Sequence, residues 1–139
     1  VPPVLADPTQ IHQVMINLLL NAFAAIGEKN GHVEIRLDRV EVDDTGASTE
    51  YPGIGPGAYV RIRIKDDGPG IPPEDLERIF EPYYSTQPLD KGAGLGLSVV
   101  YGIIQRCQGA IFVRSDPGAG TQFTILLPTT EGNEGAGGI

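Results

Sequence analysis

The apolar residues of this chain change period as they run along it, and the order of those changes limits the fold more than any other feature. Ile11, Val14, Met15, Leu18, Ala22, Ala25 and Ile26 recur at helical spacing and share one face. Asp7 and Pro8 supply a start signal, a side-chain cap followed by proline at the first helical position, and Gly27 and Gly31 end the segment. Val33, Ile35, Leu37, Val40 and Val42 then mostly alternate, and Val60, Ile62 and Ile64 alternate with Arg61, Arg63 and Lys65. This predicts two antiparallel strands joined by a polar loop from Asp43 to Gly57. Pro73 to Phe80 fits a short helix. Helical period returns from Gly94 to Cys107, with Leu97, Val100, Ile104 and Cys107 on one face and Gly109 at the position of a left-handed helix stop. Ile111 to Arg114 and Thr121 to Leu127 alternate again across a turn from Asp116 to Gly120. Helix, hairpin, helix, helix, hairpin is an α+β order, with helices on one face of a sheet.

A chain of 139 residues, 40% of them hydrophobic, can bury one core without staples. Its net charge of -8 makes it a poor candidate for nucleic acid or an anionic membrane, since phosphate backbones need a basic footprint. The one cysteine, Cys107, excludes an intramolecular disulfide and a cysteine-based zinc cluster, and on a core face it is expected to be an inert small hydrophobe. No apolar run approaches the ~20 residues of a membrane span, and no signal peptide opens the chain. The chain starts at Val1 and leads at once into a patterned segment, as a piece of a longer protein would. Residues 1–128 are expected to form the domain and 129–139 a flexible tail or linker.

Four polar clusters interrupt the pattern. Asn17 and Asn21 are four apart on the first helix, beside its apolar stripe. Either they bond to nearby backbone, or an amide oxygen ligates a hard cation such as Mg²⁺. Asp66-Asp67-Gly68-Pro69-Gly70 follows a strand directly. It reads as an ordinary strand-end turn or as a fixed carboxylate able to accept from an exocyclic amino group, with glycines letting backbone pass close to a ligand. Gly92-Ala93-Gly94-Leu95-Gly96-Leu97 opens the second long helix, where glycine amides can hold phosphate. It is neither a dinucleotide fingerprint nor a Walker A loop. Gly118-Ala119-Gly120-Thr121 fits a glycine-rich hairpin turn.

In this order the clusters resemble the N, G1, G2 and G3 boxes of the GHKL ATP-binding superfamily, and Phe80-Glu81-Pro82-Tyr83 resembles the F box of sensor histidine kinases. The stretches NLLLNA, DDGPGI, IFEPYYST, GAGLGLSVVYGI and GAGTQFTILLP carry a resemblance that runs from about Asp7 to Pro128. It is closest to the catalytic, ATP-binding domain of a two-component histidine kinase. The resemblance implies the Bergerat fold, a two-layer α/β sandwich with a mixed, mostly antiparallel sheet and helices on one face. It implies ATP and Mg²⁺ as cofactors. Asn21 takes the place of the Mg²⁺ ligand, with Asn17 its neighbour near the phosphates. Asp66 takes that of the adenine reader, and Gly68 and Gly70 shape its wall. Gly92, Gly94 and Gly96 form the phosphate-side loop, and Thr121 supports the adenine network. Ile71, Phe80, Tyr83, Leu95 and Leu97 complete the expected nucleotide set, and Tyr83 to Lys91 is the ATP lid.

Two departures refine the expectation. ATPases of the superfamily carry Glu where this chain has Asn17, and an amide is no useful base for activating water. Ser85, Thr86, Gln87 and Ala24 stand where related kinases often carry Lys or Arg, which leaves Lys91 as the candidate for the γ-phosphate. The two histidines, His12 and His32, read as a helix-surface residue and a turn residue. The phosphoacceptor is therefore expected on a separate dimerisation domain, with a response-regulator receiver domain further along the two-component pathway. A cytoplasmic location, in a parent that can itself be membrane-anchored, completes the expectation. A GHKL ATPase and a regulatory nucleotide-binding module that transfers no phosphate are the alternatives.

Overall fold

The computed structural model describes residues 7–27, 31–42, 51, 54–76, 78–79 and 96–129. Helix α1 runs Pro8–Ile26; Asp7 caps it by accepting from the Thr9 amide at 2.9 Å, and the Gly27 amide closes it on the Phe23 carbonyl. Strands β1 (Val33–Val42) and β2 (Gly57–Asp66) pair antiparallel, with Ile35 opposite Ile64 and Leu37 opposite Ile62. A short α2 (Pro73–Leu76) and a longer α3 (Gly96–Arg106) precede the hairpin of β3 (Ala110–Asp116) and β4 (Gly120–Pro128). The strand order is β1-β2-β4-β3, so the crossover through α3 sets β4 against β2. The sheet, expected to be mixed and mostly antiparallel, is antiparallel in all its described pairings, because two hairpins meet along their inner strands.

Alternation gives the sheet two unlike faces. Val60, Ile62, Ile64, Phe123, Ile125 and Leu127 turn inward and pack with Val14 and Leu18 of α1 and Val100, Ile103 and Ile104 of α3. The opposite face carries Arg61, Arg63, Lys65 and Gln122, and Tyr51 covers part of it, its ring 5.3 Å from Phe112. Helix α1 also has an apolar outer side, where Ile16, Leu20 and Phe23 are exposed.

Three expectations change. The helix expected over Pro73 to Phe80 is helical only to Leu76. The Arg78 amide then bonds three residues back, to Asp75, which tightens the chain into a turn; Glu77 and Phe80 lie outside the described residues. The left-handed residue after α3 is Gln108 (φ 60) and not Gly109. Gln108 donates to Gln105 and Gly109 to Ile104, the paired closing bonds of a Schellman stop. Gly109 is needed for a different reason: a Cβ there would lie 2.5 Å from the Leu126 carbonyl of β4. Thr129, expected in the tail, is buried and donates its amide to Ala58 at 3.0 Å, extending the ladder.

Candidate nucleotide site

Strand β2 ends on Asp66, as the sequence predicts, and the inward parity of Ile62 and Ile64 turns this carboxylate under the helices. It is 3% exposed. Burial pushes its pKa up, while the amides of Gly68 and Thr121 donate to it and pull the other way. A buried carboxylate has about four acceptor positions, so two backbone donors leave capacity for a ligand's N–H. Thr121 sits directly across from it on β4 and is buried with it.

The loop after Asp66 is clamped to the β3–β4 turn. The Gly118 amide donates to the Pro69 carbonyl at 2.7 Å, and the Ile71 amide to Ser115 Oγ at 2.6 Å. Ser115 Oγ also lies 3.1 Å from the Gly120 carbonyl oxygen and 3.0 Å from Thr121 Oγ1. Two glycines permit this closeness. Gly70 has φ +83 and its backbone abuts the Asp116 carbonyl; Gly120 has φ +113 and its Cβ would lie 2.0 Å from the Asp66 carbonyl oxygen. Any side chain at either place is both strained and obstructed.

Sequence reasoning missed Ser115 and the Asp67–His32 pair. Ser115 continues the inward parity of Ile111 and Val113, and a polar residue at an inward position signals a partner. Asp67 is exposed; its Oδ1 accepts from the His32 amide at 2.8 Å and its Oδ2 lies 3.2 Å from His32 Nδ1. The His32 amide is the first cause that holds the Asp67 pKa below the ordinary carboxylate value. His32 thus closes the start of β1 onto the end of β2.

Asn17 and Asn21 are half-buried on α1. Asn17 Oδ1 accepts from Gln13 Nε2 at 2.7 Å, whereas the Asn21 amide has no side-chain hydrogen bond among the described residues. Gly96 is the first residue of α3, and Leu97 packs onto the core. Cys107 is partly buried against that core, and this burial raises its thiol pKa. Phe80, Tyr83, Lys91, Gly92, Gly94 and Leu95 lie outside the described residues. The structure therefore joins Asp66, Gly68, Gly70, Ile71 and Thr121 at one end of the sheet and sets Asn17, Asn21 and Leu97 on the helices that cover it.

The histidine kinase-, DNA gyrase B- and HSP90-like ATPase family matches residues 6–131. The chain belongs to that family. It is a histidine-kinase-type, ATP-binding domain. It is 43% identical over 126 residues to sensor kinase CckA of Brucella abortus, which covers 91% of this chain and 13% of the relative. A structure of the catalytic domain of histidine kinase ThkA superposes with a TM-score of 0.68 at 34% identity, covering 91% of this chain and 70% of that one. Full-length ShkA in complex with AMPPNP gives 0.67 at 29% identity, over 93% of this chain and 23% of that one. The chain thus spans about an eighth of CckA. No helix among the described residues is long and apolar enough to cross a membrane.

Proposed function

We propose that the domain binds Mg-ATP at the Asp66 end of the sheet and presents the γ-phosphate to a histidine on a separate dimerisation domain. The observation that carries this reading is the buried, two-amide-bonded carboxylate of Asp66 with acceptor capacity to spare. Adenine's exocyclic amine donates to such a group. Guanine would offer a carbonyl there and leave a buried acceptor unpaired, at about 1–3 kcal/mol. Gly68, Gly70 and Ile71, fixed through Ser115, form the wall beside the base, and Thr121 supports it. Phe80, Tyr83, Leu95 and Leu97 complete the nucleotide's surroundings.

Mg²⁺ takes oxygen donors and few protein ligands. The Asn21 amide, half-buried and without a side-chain partner among the described residues, fits that demand with Asn17 one turn away. When bound, the ion neutralises charge on the triphosphate. The amides of Gly92, Gly94 and Gly96, at and before the α3 N-terminus, hold the phosphates, and Lys91 meets the γ-phosphate. The histidine imidazole nitrogen forms the new bond to the γ-phosphorus as the bond to the ADP oxygen breaks. The domain contributes positioning and charge stabilisation. Asn17 lacks the basicity to activate water, which favours transfer over hydrolysis.

In this reading residues 1–128, with Thr129 added by its bond to Ala58, form the ATP-binding unit; residues 130–139 lie outside the described residues. The unit works in the cytoplasm without touching nucleic acid or membrane, and a receiver domain takes the phosphate from the histidine. The test mixes the domain with a separately made dimerisation domain and γ-labelled ATP. Acid-labile label on that partner is expected. Free phosphate alone would mark an ATPase, and nucleotide binding with neither would mark a regulatory module. Asp66→Ala should abolish ATP binding by calorimetry while the domain stays folded; retained affinity overturns the adenine assignment.

A further inference from the structure

The open face of the sheet carries more positive charge than its ion pairs absorb. Arg36 of β1, Arg61, Arg63 and Lys65 of β2 and Arg114 of β3 all lie on it, half of the ten basic residues of a chain whose net charge is -8. Arg36 and Arg63 stand directly opposite each other in the β1–β2 register. Like charges so placed destabilise a strand pair. The nearby carboxylates do not resolve this. Asp38 is engaged by Arg61, whose Nε donates to it at 2.8 Å and whose Nη2 bonds its second oxygen, while Arg63 reaches it only at 3.4 Å. Glu34 meets Arg36 at 3.3 Å. Arg63 Nε is buried with no hydrogen-bond partner, and Lys65 makes no ion pair among the described residues. Glu34, Arg36, Arg63, Lys65 and Gln122 line a cleft of about 250 Å³.

We propose that this cleft is a second ligand site, distinct from the nucleotide pocket, and that it takes a small soluble compound through a phosphate or diphosphate group. Two guanidinium forks suit phosphate oxygens in pairs, and Lys65 and the Gln122 amide add further donors. The one carboxylate in the lining, Glu34, is tied to Arg36. The volume is below the ~300–1,000 Å³ of pockets that hold drug-sized ligands, so it fits a phosphate head and not a whole nucleotide. An anion there relieves the Arg36–Arg63 repulsion and gives the Arg63 guanidinium the acceptors it lacks. Lys65 and Gln122 are also the chain neighbours of Asp66 and Thr121, pointing to the other face of the same two strands.

The test titrates pyrophosphate into the labelled chain by NMR, with AMPPNP and Mg²⁺ present to keep the probe out of the nucleotide pocket. Saturable shifts are expected at the Nε–H groups of Arg36 and Arg63 and at the backbone amides of Lys65 and Gln122. The Kd should weaken about tenfold in the Arg63→Gln, Lys65→Gln double variant, which loses two charge-assisted contacts. Without the probe, Arg63→Gln should melt no lower than the parent, because it removes a repulsion. Should the double variant fail to fold, Lys65→Gln alone, at an exposed position, is expected to weaken the Kd about threefold. No saturable shift in the cleft, or a Kd unchanged in the variant that folds, overturns the proposal. So does co-sedimentation of the chain with phosphatidic-acid vesicles, which would assign the phosphate to a lipid.

Discussion

Ser115→Ala removes one hydroxyl, and that hydroxyl joins the loop after Asp66 to the β3–β4 turn. Its oxygen accepts from the half-buried Ile71 amide at 2.6 Å, and its proton goes to the Gly120 carbonyl or to Thr121 Oγ1. Stranding a buried donor costs about 1–3 kcal/mol, and a satisfied neutral bond contributes about 1 kcal/mol net. Ile71 is only partly buried, so water recovers some of the first loss, and the sum is about 1.5–2.5 kcal/mol. Unfolding entropy of about 2.1 cal/mol/K per residue, over a chain of 139 residues, converts this to a fall in Tm of roughly 5–9 °C. Thermal melting by circular dichroism reads the shift. Hydrogen exchange should show the Ile71 amide opening faster, while amides in the middle of β2 slow or quicken only with global stability. ATP affinity should drop as well, since the freed loop begins at the Asp66 carboxylate. A Tm within about 1 °C of the parent, with Ile71 exchange unchanged, would refute the clamp.

Three further outcomes are expected. Gly120→Ala should cost about 3 kcal/mol or more, because the Cβ meets the Asp66 carbonyl oxygen and the backbone cannot step aside, whereas Gly118→Ala, with φ +81 and open space, should cost only about 1–2 kcal/mol; equal shifts in urea midpoint would contradict this. Asp38→Asn should destabilise the domain at neutral pH. The Arg61 hydrogen bond, ahead of all other causes, lowers the folded-state pKa of Asp38, so its contribution is full above the unfolded value and is lost as pH falls through the folded one. The gap between parent and variant should therefore close on acidification below about pH 4; a gap that stays constant down to pH 2 excludes the ion pair as its source. Gln108→Gly should raise stability by up to about 1 kcal/mol, since relief of the left-handed conformation exceeds the added freedom of the unfolded chain; a lower urea midpoint would show that the Gln108 side chain holds something more.

The strands were legible because alternation is a local signal, and it also tells which residues of each strand face the helices; the registers come from the structure. What escaped depends on contacts between elements. Gly109 looks like a helix stop by position, yet the stop falls on Gln108, and only the approach of the Leu126 carbonyl explains the glycine. The length of α2 was overestimated because helical spacing in Pro73 to Phe80 says nothing about whether a turn closes three or four residues back. On α1 the stripe read from helical period is the buried one, with Val14, Leu18, Ala22 and Ile26 inside, while Ile16, Leu20 and Phe23 are exposed on the other side.

The site shows the same division. Asp66 and Asp67 are adjacent and chemically identical, and their spacing from Gly68 and Gly70 does not separate them. Strand parity does. Asp66 shares the inward face of Ile62 and Ile64, so it loses water, its pKa rises, and two backbone amides hold it as a buried acceptor. Asp67 lies one residue past the strand, exposed, and its pKa falls because the His32 amide binds it. One carboxylate is a buried acceptor, the group the proposed function assigns to adenine, and its neighbour fastens β1 to β2. A one-residue slip in the β1–β2 register would exchange the faces of every side chain on β2. The ten-residue pairing of β1 with β2, from Val33–Asp66 to Val42–Gly57, is therefore what decides which aspartate is buried beneath the helices.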